Sequence, residues 1–214
     1  MRTALAALCL AVSPQAREDF VSTRVIGYSQ VSQWYPAFEK ALGDHDRWEL
    51  LWNGGAGVDK WSDPAYAGWG NKPVSPCKER SGDPDRVVLS VSGPYGDDVD
   101  QWARKIRETV DVIRAKYKNV KRIVILAVVG GHEHHACAGG RGGDAIRAAR
   151  QHPKIEEAIA RVVKEDKTGQ LAAGPCVQVK DCSGFRDALG HLAPAATEPA
   201  GQAVAEFFKR GGKP

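Results

Sequence analysis

The sequence predicts an α/β domain in which a mostly parallel five-stranded sheet carries helices on both faces, a three-layer α/β/α sandwich. Short apolar runs alternate along the chain with amphipathic segments at helical spacing. The run Pro84–Ser92 is almost entirely apolar, as is typical of a strand buried on both faces of a parallel sheet. Because the sequence contains no internal repeat and no marked boundary, we expect one domain over residues 17–214.

Strands and helices are predicted in alternation. The apolar runs predict five strands, at Thr23–Tyr28, Arg47–Trp52, Pro84–Ser92, Arg122–Val129 and Cys176–Val179. The amphipathic segments predict four helices, with apolar stripes over Trp34–Leu42, Val99–Tyr117, Ile146–Val163 and Ala200–Phe208. We expect the third helix to break at His152–Pro153, because proline lacks the amide hydrogen that a helix interior needs.

The composition is that of an ordinary globular protein. Hydrophobic residues make up 43% and charged residues 26% of the 214 positions, and the formal net charge is +4. Lysine and arginine are interspersed with acidic residues along the predicted helices, a pattern typical of solvated faces. We therefore expect no nucleic-acid partner, and we expect a monomer.

The amino-terminal residues 1–16 have the features of a short export signal. Arg2 supplies a positive start, Ala4–Val12 an apolar run and Ser13–Ala16 a cleavage region with small residues. The apolar run is too short to span a bilayer, so no membrane insertion is expected. These features predict a secreted or periplasmic bacterial protein. The alternative is a disordered cytoplasmic tail.

The cysteines agree with export. If Cys9 leaves with the signal, an even number of cysteines remains, which favours two disulfides with three connectivities. The remaining cysteines are Cys77, Cys137, Cys176 and Cys182. Cys176 and Cys182 are close enough in sequence to close a local loop, which would leave Cys77 to pair with Cys137.

The first predicted strand ends in Gly27-Tyr28-Ser29, where a helix can begin. Ligands bind at the carboxyl ends of strands in open α/β sheets, so Ser29 is placed for chemistry and is our candidate nucleophile. The alternative is a serine that only caps the following helix.

A serine nucleophile needs an imidazole to take its proton, a carboxylate to orient that imidazole and donors for the oxyanion. Asp187 and His191 stand just before the last helix, and glycine-containing loops at 53–57 and 93–96 follow the second and third strands. If the segment is helical, positions four apart share a face, so the two side chains can meet. The alternative for His191 is a surface histidine near a helix start.

The order of these blocks resembles that of the SGNH hydrolases, also called GDSL esterases and lipases, over most of the chain after residue 16. That resemblance implies a flavodoxin-like arrangement and a Ser-His-Asp triad of Ser29, His191 and Asp187. Tyr28 stands where the family has aspartate in its Gly-Asp-Ser segment. The family's Asp-x-x-His is here one residue longer.

The resemblance also implies an oxyanion hole made by Ser29, Gly57 and Tyr95. Gly57 matches the glycine whose backbone amide binds the oxyanion, whereas Tyr95 occupies the position of the family's asparagine. Loss of one oxyanion donor costs about two to three powers of ten in rate, and a tyrosine hydroxyl would need a different loop path to replace it.

The activity implied is hydrolysis of an ester through an acyl-enzyme, without a metal or an organic cofactor. We expect a small-molecule or carbohydrate ester, with an acetylated carbohydrate as the first choice because Trp61 and Trp69 offer rings for sugar stacking. Tyr28 and His132 complete the expected substrate-binding set. Two alternatives stay open: a non-catalytic carbohydrate- or ligand-binding protein, and a sugar O-acyltransferase.

The loop after the fourth strand contains His132, His134, His135 and Cys137, which are zinc-ligand types. Their spacing is not that of a helical zinc motif, which favours a loop lining the cleft over a metal site. The glycines at 139–143 lack the spacing and the lysine of a phosphate-binding loop.

Overall fold

The computed structural model describes residues 20–131, 137 and 145–212. The expected export segment at 1–16 lies outside these residues. The zinc-type histidines and the glycines at 139–143 lie outside them as well.

The described residues form one parallel sheet with the strand order β2-β1-β3-β4-β5. The strands are β1 (Thr23–Gly27), β2 (Trp48–Trp52), β3 (Arg86–Val91), β4 (Arg122–Ala127) and β5 (Leu171–Ala173). All strand pairs are parallel. This order is the flavodoxin-like one, with its switch point between β1 and β3, so the predicted fold class is confirmed.

Helices cover both faces of the sheet. They are α1 (Ser29–Leu42), α2 (Val58–Trp61), α3 (Val99–Lys116), α4 (Arg147–Glu165) and α5 (Pro194–Lys209). Right-handed crossovers place α1 on one face and α3 and α4 on the other, because the strand order reverses after β2. In agreement, α1 packs on α5 and α3 packs on α4. Among the described helices, none is long and apolar enough to cross a membrane.

The contact between α1 and α5 is close. A Cβ atom added to Gly201 of α5 would lie 2.4 Å from the carbonyl oxygen of Trp34 on α1, so the two backbones meet at a position that only glycine allows. Phe38 packs edge-on against Trp48 and Phe208, with ring centroids 4.8 and 5.9 Å apart. These aromatic contacts hold α1, and with it the residue after β1, against the sheet.

The last strand does not lie where the sequence predicted it. β5 is the short segment Leu171–Ala173, whereas Cys176–Val179 forms only a single bridge beyond the end of β4. There Gly130 donates its amide to the carbonyl of Val177 and accepts from the amide of Val179, both at 2.9 Å. The apolar pattern predicted a strand at Cys176–Val179, which makes only this bridge. It missed β5, because two of the three residues of β5 are alanines and alanine has low strand propensity.

The predicted helix break at Pro153 is also wrong. α4 runs through this proline without interruption. Apolar side chains before and after it, including Ala149 and Ile155, are fully buried. A proline costs a helix interior about 3 kcal/mol, and burial of this continuous stripe outweighs that cost.

The expected disulfide pairing is wrong, and the sheet explains why. Cys137 is bonded to Cys182, with Cα atoms 5.3 Å apart. Cys77 is buried near the amino end of β1, where its thiol lies 3.9 Å from the carbonyl of Thr23. Cys137 follows β4 at the opposite, carboxyl edge, so Cys77 cannot reach it. Cys176 is a free, exposed thiol.

Candidate active site

Ser29 meets two residues that are distant from it in sequence, Asp187 and His191, at the carboxyl edge of the sheet. The Oγ atom of Ser29 lies 2.7 Å from Nε2 of His191. Nδ1 of the same imidazole lies 2.7 Å from Oδ2 of Asp187. An imidazole that donates its Nδ1 proton to a carboxylate presents an unprotonated Nε2 to the hydroxyl. The arrangement can therefore take a proton from Ser29 and make its oxygen nucleophilic.

The segment that holds Asp187 and His191 is a tight turn, not the helix considered from the sequence. Oδ1 of Asp187 accepts hydrogen bonds at 3.1 Å from the amides of Leu189, Gly190 and His191. Gly190 has a φ of 92°, a conformation that favours glycine. Its missing side chain also leaves room for Ala148, whose Cβ would lie 2.2 Å from an added Cβ.

The charge of the carboxylate suits this geometry. Burial acts to raise the pKa of Asp187, but hydrogen bonds from the side chain and amide of His191 outweigh burial and lower the pKa below its ordinary value. Asp187 is therefore ionised at neutral pH. The side chain of His191 is 21% exposed, so the imidazole is open to a substrate.

Gln30, which follows the candidate nucleophile, was not singled out from the sequence. Its side chain is buried and its Nε2 donates to the carbonyl of Gly190 at 2.8 Å. Its Oε1 accepts from the amide of Val129 at 2.8 Å and from the hydroxyl of Tyr28 at 3.0 Å. One amide group thus ties the start of α1 to the end of β4 and to the turn that carries His191.

Gln33 makes a second tie one helical turn further on. Its Oε1 accepts from the amide of Leu192 at 2.9 Å, and its Nε2 lies 3.4 Å from the carbonyl of the same residue. Gln30 and Gln33 therefore bond the backbone on both sides of His191. In the sequence, the only indication of this pair was the three-residue spacing that puts both glutamines on one face of a helix, and this spacing matches no known motif.

Replacing Gln30 with leucine is expected to lower the free energy of unfolding by about 3 kcal/mol, because the buried amide of Val129 and the carbonyl of Gly190 would lose their partners. Urea denaturation measures the change. The matched control is Gln202→Leu, at an exposed position of α5, where a change within about 0.5 kcal/mol is expected. Equal effects of the two variants would contradict the tying role of Gln30.

The backbone amides of Ser29 and Gly57 are the expected oxyanion donors. The loop after β2 reaches the end of β3, where Val58 donates its amide to the carbonyl of Ser92 at 2.8 Å. Since β1 lies between these strands, the loop crosses the end of β1. A Cβ on Gly57 would lie 2.3 Å from the Ser92 oxygen, so this approach requires glycine. Within the described chain, the amides of Ser29 and Gly57 have no acceptor.

Tyr95, the third expected oxyanion donor, would act through its side chain and not through its backbone amide. Its ring packs edge-on against Trp102 with centroids 5.0 Å apart. Burial raises the pKa of its hydroxyl, and the charges of Asp59 and Glu108 raise it further. No hydrogen bond joins this hydroxyl to another described residue, so its part in an oxyanion hole stays a prediction.

The expected substrate-binding residues do not form one surface. Trp61 is fully buried and packs edge-on against Trp69 at 4.8 Å, so the expected contact between Trp61 and a substrate is corrected to a core contact. Trp69 packs against Tyr117, at the end of α3 remote from the carboxyl edge, which gives no support to its expected role. Tyr28 lies beside Ser29, and His132 lies outside the described residues.

Arg147, at the first position of α4, also lies at this rim and was missed. Its Nη2 donates to the carbonyl of Gly93 at 2.5 Å, and its amide donates to the carbonyl of Ala188. Burial raises the pKa of the Tyr28 hydroxyl, while the nearby charge of Arg147 acts to lower it. A cation thus stands among the loops that follow β1 and β3 and the turn that carries His191. The sequence did not point to Arg147, because a residue that follows a polar loop and begins a helix does not belong to an apolar repeat.

The comparisons with known proteins identify the fold. No protein-family model and no curated protein matches the sequence. A carbohydrate esterase family 3 structure from Talaromyces cellulolyticus is similar, with a TM-score of 0.57 at 10% identity over 88% of this chain and 97% of that one. A DUF4886 family protein from Bacteroides uniformis has a TM-score of 0.56 at 14% identity over 89% and 83%.

A third similar structure is the salicylyl-acyltransferase SsfX3 from a tetracycline biosynthetic pathway. Its TM-score is 0.48 at 13% identity over 90% of this chain and 54% of that one. At these identities the first two likenesses concern the fold alone. With the strand order, they give the chain an SGNH-hydrolase-like α/β fold, as the resemblance implied.

Proposed function

We propose that this protein is a serine esterase that hydrolyses its substrate through an acyl-enzyme. The observation that carries the proposal is the hydrogen-bonded chain from Ser29 through His191 to Asp187, with both contacts at 2.7 Å. The amides of Ser29 and Gly57, which have no acceptor within the described chain, support it, because an ester carbonyl needs such donors as its oxygen becomes negative.

In the proposed mechanism, Nε2 of His191 takes the proton of Ser29 as the serine oxygen attacks the ester carbonyl carbon. The amides of Ser29 and Gly57 bind the oxyanion of the tetrahedral intermediate. The imidazolium then gives its proton to the leaving alkoxide, and Asp187 stabilises the charged ring throughout. Water attacks the acyl-serine in the same way, with His191 again as base, and Ser29 is restored.

For the substrate we propose an acetyl ester on a carbohydrate. The partly exposed imidazole of His191 favours an open site that a sugar ring with hydroxyl groups can approach. Arg147 offers guanidinium N–H donors at the rim beyond the one that it gives to Gly93, whereas the Tyr28 hydroxyl donates its proton to Gln30 and can only accept. One protein with a similar fold is named as a carbohydrate esterase, which agrees with this choice.

We further propose that the protein acts after export, in the periplasm or outside the cell. The disulfide between Cys137 and Cys182 supports this location, because such bonds form and persist in oxidising compartments. The apolar segment near the start of the sequence agrees with it.

The test is release of acetate from p-nitrophenyl acetate and from acetylated xylo-oligosaccharides by the purified protein, with and without an unacetylated sugar as acceptor. We expect acetate from both substrates. Transfer of acetyl groups only when the acceptor is present would instead identify an O-acyltransferase. Sugar binding without any acyl release would identify a non-catalytic binding protein, and either result would overturn the proposal.

A further inference from the structure

A second group of reactive side chains lies on α4 and in the segment after β5, and it includes none of Ser29, His191 and Asp187. His152 and Glu156 stand four residues apart on one face of α4, and Cys176 follows β5. One ligand atom from each lies within 4.8 Å of the others. Nε2 of His152 is 3.4 Å from Oε2 of Glu156 and 3.6 Å from Sγ of Cys176.

The imidazole of His152 is fixed in the tautomer that a metal ligand needs. Its Nδ1 lies 2.5 Å from the carbonyl oxygen of Val128, which can only accept, so Nδ1 carries the proton. Nε2 therefore points its lone pair towards the other two side chains in the neutral ring. Metal-binding histidines usually donate their second N–H to a carbonyl or carboxylate in this way.

The ring has little freedom to leave this position. It is fully buried, and a Cβ on Gly130 would lie 2.4 Å from its Cγ atom, so the backbone at Gly130 lies directly against the ring. Gln178 places its amide nitrogen 3.6 Å from Sγ of Cys176, as an outer donor to that sulfur. The nitrogen donor is thus held before any ligand binds, which lowers the entropy lost on binding.

Two of the three separations match those around a tetrahedral zinc ion. Zinc binds nitrogen and oxygen at about 2.0–2.2 Å and sulfur at about 2.3 Å. A tetrahedral angle then separates nitrogen from oxygen by about 3.4 Å and nitrogen from sulfur by about 3.6 Å. These are the two distances that His152 makes to Glu156 and Cys176.

We propose that His152, Glu156 and Cys176 bind one zinc ion, with the fourth position left to water or another ligand. Cys176 is exposed, so the ion can enter from solvent. It binds as a thiolate and releases its proton. The ion would link α4 to the segment that bridges Gly130, and it takes no part in the proposed ester hydrolysis. This proposal revises the sequence-based expectation of no metal.

The experiment uses the full chain, stripped with a chelator and titrated with Zn²⁺ and, separately, with Co²⁺. We expect one zinc per chain by elemental analysis after dialysis, and a thiolate-to-cobalt charge-transfer band. Cys176→Ser should abolish that band and weaken zinc binding at least about tenfold, and Glu156→Gln should weaken it similarly. The matched control is Glu157→Gln, because Glu157 is 61% exposed and paired with Lys154, so unchanged binding is expected.

Absence of retained zinc and of the cobalt band would overturn the proposal. Zinc binding that is as tight in Glu156→Gln and in Cys176→Ser as in the wild type would also overturn it, since the ion would then lie elsewhere. Both replaced side chains reach solvent, so these variants are expected to fold, and circular dichroism checks that they do. None of these readings depends on esterase activity, so failure of one proposal is distinguishable from failure of the other.

Discussion

Replacing Ser29 with alanine is expected to lower kcat/KM for p-nitrophenyl acetate by at least about 10⁴-fold. Alanine removes the oxygen that attacks the carbonyl, so no acyl-enzyme can form. The oxyanion donors would remain, because the amides of Ser29 and Gly57 belong to the backbone, and they would leave only a weak acceleration over water. Initial rates under matched conditions measure the loss.

The control for this experiment is Ser62→Ala. Ser62 directly follows α2, and its hydroxyl contacts the carbonyl of Asp59 and the amine of Lys105, neither of which belongs to the triad. We expect its rate to stay within about twofold of the wild type, since surface contacts of this kind contribute little. A Ser29→Ala variant that hydrolysed the ester as fast as Ser62→Ala would place the nucleophile elsewhere.

The second large effect is expected from Asp187→Asn, which should reduce kcat by about 10³–10⁴-fold. Asparagine keeps an oxygen that can accept from the amides of Leu189, Gly190 and His191, so the turn is preserved. Its NH₂ group would then face Nδ1 of the imidazole. That ring nitrogen becomes the acceptor and Nε2 carries the proton, so His191 can no longer accept the proton of Ser29.

Asp97→Asn provides the comparison, because Asp97 is exposed in the loop after β3 and should keep full activity. Thermal unfolding of both variants separates chemistry from folding. Little change in the midpoint together with a large loss of kcat is the expected result for Asp187→Asn. A kcat within threefold of the wild type would contradict an orienting role for the carboxylate.

Most of the fold was predictable because its strands are buried and apolar. The runs that became β1, β3 and β4 have few alternatives, since a parallel strand covered on both faces favours apolar residues. The grouping of Ser29, Asp187 and His191 was also predictable. Chain order and a strand-to-helix turn constrain where such residues lie, and the parallel sheet brings its loops to one edge.

The errors share a cause, which is that tertiary packing overrides local sequence signals. Cys176 and Cys182 are near each other in sequence, but Cys182 bonds to Cys137 in a different loop. Trp61 stands in a long excursion that suggested a binding loop, yet its side chain is fully buried. In the helix that continues through Pro153, the burial of apolar side chains likewise outweighs the local tendency of proline to break a helix.

The residues missed at the site act over long distances in sequence. Gln30 bonds to Gly190, which is 160 positions away, and such a pair leaves no local pattern. Gln30 matters because the folded chain brings a backbone carbonyl and a backbone amide within hydrogen-bonding distance of its side chain. Composition and periodicity contain no information about such contacts. For the same reason the sequence did not single out His152 as a candidate ligand. Its ring orientation is set by a hydrogen bond to the carbonyl of Val128, which only the folded structure shows.

Covalent labelling of the folded protein tests the central claim most directly. A fluorophosphonate probe reacts with a serine whose hydroxyl is activated by an imidazole, and peptide mapping by mass spectrometry locates the adduct. We expect one adduct, on Ser29, which is lost in His191→Ala although the serine is still present. No adduct on folded protein, or an adduct on another serine, would contradict it.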